Sequence, residues 1–423
     1  ILSATGQVKT ENLKDVVLIG ELSLNGDIRK VNGILPVLIS MRQKGFKRVF
    51  IPHENAQEAS FIEGVETYAF ETLKEVVNFL NGEIEKSPVK ATNYQEIKAK
   101  NVTLEDFSQV KGQFAAKRAL EIAAAGGHNM LMIGPPGSGK TMLARCFPTI
   151  LPDMTFEEAL EVTKIHSVAG TLDSKDGIIV NRPFRAPHHT ATIVALTGGG
   201  RLAKPGEISL SHNGVLFLDE LPEYPRNVVE AMRQPLEDGV ITVSRLAQTI
   251  EYPARFNLIA SMNPCPCGYY GSKKHECKCT PSQIHKYLNK LSGPIMDRID
   301  LHVEVESVEY SDLQSTREEE TSKQIKQRVD KARLIQTERF KGTDVFNNAS
   351  MTNKMCTKYC KLDENCQRIM KLAFDSYNLT ARANNRILKV ARTIADLDGQ
   401  ENICENHLIE AISYRTLDNK FWV

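Results

Sequence analysis

Leu131-Met132-Ile133-Gly134-Pro135-Pro136-Gly137-Ser138-Gly139-Lys140-Thr141 runs from an apolar stretch through a glycine-rich loop into the head of a helical pattern, Met142-Leu143-Ala144. The spacing from Gly134 to Gly139-Lys140-Thr141 is G-x-x-x-x-G-K-[ST], the phosphate-binding loop. The residue types suit an anion. Glycines let backbone N–H groups turn inward, and the following helix points its positive end at the same place. Lys140 can reach the β- and γ-phosphates, and the Thr141 hydroxyl can complete a Mg²⁺ shell. Gly134 to Thr141 are therefore expected to contact ATP, with Mg²⁺ beside it. A Gly-Pro turn that happens to hold a lysine would not explain an apolar strand before it and a helix after.

Two later strands end in groups that could serve the same chemistry. Gly214-Val-Leu-Phe-Leu-Asp219-Glu220 closes on two carboxylates. Asp219 is expected to hold Mg²⁺ through water, and Glu220 to orient and polarise the attacking water. Phe256-Asn-Leu-Ile-Ala-Ser-Met-Asn263-Pro264 closes on an amide that could touch the γ-phosphate or the lytic water. A strand-end Asn capping a turn would look the same. These patterns predict an α/β fold, a parallel sheet flanked by helices.

Composition bounds the rest. The chain has 423 residues, enough for two or three domains. Its 53 Lys and Arg balance 52 Asp and Glu, so any basic surface is local. No apolar run approaches the ~18–20 residues needed to span a bilayer, and no signal peptide is visible. Nine cysteines, four of them between Cys265 and Cys279, suggest a metal site in a reducing compartment rather than a disulfide framework. The cytoplasm is the expected location.

Residues 1–82 alternate short strands with a helix: Val16–Ile19, a strand–turn–strand from Gly20 to Arg29, a helix from Leu35 to Gly45, and Arg48–Pro52. Residues 83–100 are polar and read as a linker. Residues 101–310 carry the nucleotide motifs, and 311–423 are helical and charged. Thr380 caps a helix from Ala381 to Leu397 that sets Arg382, Arg386 and Lys389 on one face. A solvated basic face is the plain alternative there.

Three insertions stand out. Pro152 to Asn213 contains the pair His188-His189 and the triplet Gly198–Gly200; no third metal ligand is near, so a structured or nucleotide-proximal loop is expected. Val240 to Glu251 reads as a β-hairpin with Arg245 near its tip. Cys265, Cys267, Cys277 and Cys279 put four soft ligands in fifteen residues, which suits a structural tetrahedral Zn²⁺ with His275 to spare. Cys146, Cys356, Cys360, Cys366 and Cys404 sit in helical patterns and are expected to pack as small apolar residues.

Long strings carry a family resemblance. Phe184-Arg-Ala-Pro-His-His, Pro205-Gly-Glu-Ile-Ser-Leu-x-His-Asn-Gly-Val-Leu-Phe-Leu-Asp-Glu-Leu-Pro222, Met262-Asn-Pro-Cys-Pro-Cys-Gly268 and Ile387-Leu-Lys-Val-Ala-Arg-Thr-Ile-Ala-Asp-Leu397 resemble the bacterial ComM/YifB family, magnesium chelatase-like AAA+ ATPases. The resemblance implies a P-loop NTPase core with a helical lid. It makes Asn263 the sensor 1 residue and Arg382 the sensor 2 arginine, with Arg386 as runner-up. Gly112 and Gln113 become adenine neighbours. Gly293-Pro-Ile-Met-Asp-Arg298-Ile-Asp300 is similar to the segment whose arginine finger reaches a neighbouring subunit, which implies a ring, usually a hexamer; a surface ion pair of Arg298 with Asp297 or Asp300 is the alternative. Arg245 would grip DNA phosphates in the channel, and the whole would drive branch migration of recombination intermediates. The competing expectation is a chelatase-type motor that remodels a protein partner for metal insertion.

Residues 1–82 resemble the second half of a Lon-protease-type domain through Gly20-Glu-Leu-x-Leu-x-Gly-x-Ile-Arg29, Gly33–Pro36 and Ile51-Pro-x-Glu-Asn55. The stretch expected to carry a catalytic lysine, Gly33-Ile34-Leu35-Pro36, has none. The expectation is a truncated, non-proteolytic α/β module.

Overall fold

Two compact units form, residues 1–102 with 154–181, and residues 103–153 with 182–423. They are seen in a computed structural model that describes every residue except 14, 101–104, 174–176, 201, 245–248, 273, 308–317, 378, 418–420 and 422–423.

In the first unit, strand β1 (Val16–Leu18) is followed by a short antiparallel hairpin of β2 (Glu21–Leu22) and β3 (Ile28–Arg29), then by β4 (Arg48–Pro52) and β5 (Glu66–Phe70). β1, β4 and β5 lie in that order in one parallel sheet. The helix Ile34–Gln43 buries Ile34, Leu35, Leu38 and Met41, the helical-period face that packs with Val49 and Ile51.

From its sequence, Pro152–Asn213 is expected within the nucleotide-binding module. Instead, residues 154–181 complete the first unit. The helix Phe156–Ala169, opened by a Thr155–Glu158 capping box, buries Ala159 and Val162 with Phe61 and Tyr94. Its Ser167 hydroxyl accepts a hydrogen bond from the Gly33 N–H at 3.1 Å and donates to the Glu58 carboxylate. Burial pushes the Glu58 carboxyl up, and the Ser167 and Asn55 donors oppose it. The expected linker is also partly structured. Tyr94–Lys100 is helical, and the buried Tyr94 hydroxyl donates to the Met154 carbonyl at 3.1 Å.

The second unit is built on β6 (Met130–Ile133), β7 (Phe184–Arg185), β10 (Val215–Leu218), β13 (Asn257–Met262) and β14 (Leu301–Glu304). Two small antiparallel pairs, β8 (Gly198–Gly199) with β9 (Lys204–Pro205) and β11 (Val240–Ser244) with β12 (Thr249–Pro253), are interleaved in the chain. The five-stranded sheet is all parallel, in the order β14-β6-β13-β10-β7. Every residue of β6 and β10 is buried, as expected of a parallel sheet covered on both faces. Among the covering helices, Phe114–Gly126 is alanine-rich, and Ala119, Leu120, Ile122 and Ala123 are fully buried.

The helical lid comprises Ser322–Arg339, Asn353–Tyr359, Glu364–Ser376, Ala381–Leu397 and Glu405–Ser413. It shares one apolar core with Met130, Met132, Val215 and Ile259 of the sheet. A buried polar network adds to this contact. His128 bonds the Asp300 carboxylate at 3.1 Å and the Thr393 hydroxyl at 2.9 Å, and Asp396 accepts from Asn348 at 2.8 Å and Arg339 at 2.7 Å. Arg386 pairs with Asp300. Cys146, Cys356, Cys360 and Cys366 are buried as expected; Cys404 is exposed instead, because it caps the last lid helix, its Sγ 3.4 Å from His407 Nδ1. Among the described residues, no helix is long and apolar enough to cross a membrane.

Candidate nucleotide-hydrolysis site

β6, β13 and β10 are adjacent and parallel, so the segments leaving their C-terminal ends emerge side by side. Ligands bind at this edge of open α/β sheets. The phosphate loop leaves β6, Asn263 leaves β13, and Asp219 and Glu220 leave β10. Sequence spacing identified these residues separately; the sheet order brings them together.

The loop has the shape of an anion cradle. A Cβ on Gly134 would lie 2.1 Å from the Val305 carbonyl oxygen, so only glycine passes there. Gly137 and Gly139 have φ of 75° and 88°, the left-handed region, and a Cβ on either would meet open space. Lys140 folds over this loop. Its Nζ donates to the carbonyls of Gly134 at 2.7 Å and Pro135 at 2.8 Å, and to Asn263 Oδ1 at 3.3 Å. Burial pushes the Lys140 ammonium down to about 8, although Asp219 and Glu220 pull it upward.

The Thr141 hydroxyl donates to Asp219 Oδ2 at 3.0 Å, and Ser261 donates to the other oxygen of the same carboxylate. In the sequence Ser261 reads only as a small residue in an apolar strand. Thr141 and Asp219 could hold Mg²⁺ between them, and the open glycine cradle fits the phosphates it would accompany. Glu220 has a left-handed backbone, φ 53°, and an exposed carboxylate. His189 Nδ1 lies 3.6 Å from Glu220 Oε2, and its ring lies 4.1 Å from that of His188. The paired histidines thus stand beside the acidic pair, on a loop held where Tyr224 donates to the Pro187 carbonyl at 2.5 Å. Burial and then Asp219 push the Tyr224 phenol up.

The remaining expected residues are placed as follows. Gln113, φ 55°, donates to the carbonyls of Ser138 at 3.2 Å and Glu306 at 2.7 Å, and the Gly112 N–H donates to Glu319 at 2.9 Å. Arg298 is buried, donates to the Pro294 carbonyl at 2.7 Å and pairs with Glu237, neither of the acidic partners considered from sequence. Arg382 is exposed in the first turn of its helix. β11 and β12 form the expected hairpin, with Ser244 opposite Thr249, and Arg245 lies outside the described residues. Cys265, Cys267, Cys277 and Cys279 converge so that their sulfurs all lie within 4.8 Å of one another, and they are the only such metal-competent cluster among the described residues.

Comparison with known proteins agrees with this geometry. Residues 106–313 match the family "Magnesium chelatase, subunit ChlI", 319–415 match its C-terminal family, and 1–55 match "Subunit ChlI of Mg-chelatase". The chain is 45% identical to the competence protein ComM of Haemophilus influenzae over 99% of this chain and 81% of that protein. It is 42% identical to the protein YifB of Escherichia coli over 99% of this chain and 80% of that protein. The magnesium-chelatase 38 kDa subunit of Cereibacter sphaeroides is 26% identical over 37% of this chain and 52% of that subunit. A five-stranded parallel sheet carrying the phosphate loop, with identity of this extent along the chain, settles the kinship: the protein belongs to the ComM/YifB family of magnesium chelatase-like AAA+ ATPases.

Proposed function

We propose that the protein is an ATP-driven ring motor that acts on DNA, in branch migration during recombination or uptake of foreign DNA. The observation that carries the motor is the convergence of Lys140, Thr141, Asp219, Glu220 and Asn263 at one sheet edge. Lys140 holds the phosphates, Thr141 and Asp219 hold Mg²⁺, which neutralises developing phosphate charge, and Glu220 takes a proton from the attacking water. Asn263 orients the γ-phosphate or that water. Arg298 acts on a neighbouring subunit's nucleotide, and Arg382 approaches from the lid. Zn²⁺ at the four cysteines completes the metal complement. Residues 1–82 are a non-proteolytic, Lon-like module, and the protein works in the cytoplasm.

The DNA step rests on less: the competence name of a relative and the hairpin β11–β12, whose Ile241 and Val243 face inward while Thr242 and Ser244 face out. Arg245, which follows Ser244 in the sequence, supplies one phosphate contact per subunit. A chelatase-type motor that remodels a protein partner is the second reading, favoured by the family match over 106–313. ATPase rate with and without single-stranded and forked DNA, for wild type and Arg245→Ala, separates them. DNA stimulation that Arg245→Ala abolishes supports the DNA motor. Turnover indifferent to DNA in both proteins refutes it.

A further inference from the structure

Two residues past Asn263, the chain enters a knuckle that the ATP chemistry does not use. The Sγ of Cys265 lies 3.4 Å from that of Cys267 and 3.7 Å from that of Cys277, and Cys267 lies 3.6 Å from Cys277. A tetrahedron of Zn–S bonds of about 2.3 Å has sulfur–sulfur edges of about 3.8 Å. The spacing fits a tetrathiolate cation site, and all four cysteines are free thiols. Cys265 is buried, and its sulfur accepts the Tyr270 N–H at 3.3 Å, the kind of outer donor that steadies a metal-bound thiolate.

The knuckle also touches the phosphate loop. Gly268 has φ 85°, and a Cβ there would come 2.5 Å from Pro136 Cδ and 3.9 Å from Asn263 Cγ. Asn263 in turn accepts from Lys140 at 3.3 Å. We infer that Cys265, Cys267, Cys277 and Cys279 hold a structural Zn²⁺ that clamps the segment after β13 onto Pro136 and so positions Asn263 for hydrolysis. Its kinetic consequence rests on the ATPase reading; the metal site does not. Four thiolates leave no coordination position for water, so the ion takes no part in the chemistry. Asn263 would touch the reacting phosphate, whereas the cysteines act only by placing it.

The test uses the full chain purified under reducing conditions. Elemental analysis is expected to give about one zinc per chain, and cobalt loaded in its place to give the thiolate-to-metal charge-transfer band of a sulfur tetrahedron. Stripping the zinc should lower kcat for ATP about tenfold, move KM less, and be reversed by added Zn²⁺. Gly268→Val keeps all four thiols but forces a Cβ against Pro136 at a positive φ; it should retain zinc, melt somewhat below the wild type and lose kcat to a similar extent. Empty thiols, disulfides or iron in metal-replete protein would overturn the site. Full kcat in zinc-free protein, or in zinc-loaded Gly268→Val, would overturn the clamp. Zinc in a protein that never hydrolyses ATP would refute the clamp and the ATPase reading while leaving the metal site standing. Hydrolysis in a protein that binds no zinc would do the reverse.

Discussion

The Thr141 hydroxyl and the Asp219 carboxylate meet at 3.0 Å, joining the first turn of the helix after β6 to the end of β10. Ser261, on the strand between, donates to the other oxygen of Asp219. Ser261→Ala removes that donor without touching the phosphate loop. The variant is expected to need more Mg²⁺ for half-maximal turnover and to lose about tenfold in activity, in line with other partners of metal ligands. A Mg²⁺ titration of ATPase rate checks this, and an unchanged midpoint counts against Ser261 as the orienting group.

Lys140 is a pH probe of nucleotide binding. Burial holds its ammonium at about 8, below the ordinary lysine value. Phosphates beside it would favour the charged form and raise that value. Binding of ATP near pH 8.5 should therefore take up a proton, whereas near pH 6.5 the ammonium is already charged and no uptake occurs there. Calorimetric titration in two buffers of different ionisation enthalpy reads the difference. Lys140→Met should abolish the buffer dependence together with binding.

Glu220 is exposed, with His189 3.6 Å away, where a group that activates water should be accessible. Glu220→Gln keeps the shape and removes the base. Turnover should fall by about 10²–10⁴, the usual worth of a general base, with nucleotide affinity retained. Loss of affinity for a fluorescent nucleotide would remove Glu220 from that role.

Arg298 is tied to Glu237 within its own chain. If it serves a neighbour's nucleotide, Arg298→Ala and Lys140→Met carry defects in different halves of a shared site. Each variant alone should be inactive. Mixing them should restore part of the ATPase rate, since some junctions then pair an intact loop with an intact arginine. A mixture as inactive as its components would mean the two groups serve a single chain's site.

Asp300 governs acid stability. Burial pushes its carboxyl up, but Arg386 and His128 overcome this and hold it well below the usual carboxylate range. A carboxyl depressed in the folded state contributes stability above its unfolded value, about 3.9, and the contribution disappears as pH falls through the folded value. Asp300→Asn should cost about 3–5 kcal/mol near neutrality, because Arg386 keeps its charge without its partner. Its stability should then fall less steeply than the wild type's below pH ~4. Urea melts from pH 7 to pH 3 measure both effects.

The parts of the site legible in sequence were those specified by local spacing. Gly134 to Thr141 is a contiguous motif, and Asp219, Glu220 and Asn263 each end an apolar run. The lid helix Ala381–Leu397 carried its own cap and period, and its bounds agree with the structure. What stayed hidden depends on pairing across the chain. Arg298 finds Glu237 rather than the neighbouring Asp297 or Asp300, because Asp300 is taken by Arg386 and His128. Ser261 gains its role only when β10 and β13 become neighbours. His189 reaches Glu220 from a loop that the sequence marks as structured or nucleotide-proximal without showing which residue it meets. Residues 154–181 leave one unit for another, and no residue at either junction signals the crossing.

That crossing limits how the protein can be dissected. A fragment beginning at residue 103 keeps the entire nucleotide site but also keeps 154–181, stripped of the strands and helices that cover it. Ala159, Val162 and Ile178, now packed with Phe61 and Tyr94, would face water on such a fragment. It should clump or be clipped by protease, and a soluble motor core calls for a short tether in place of 154–181 rather than a simple cut.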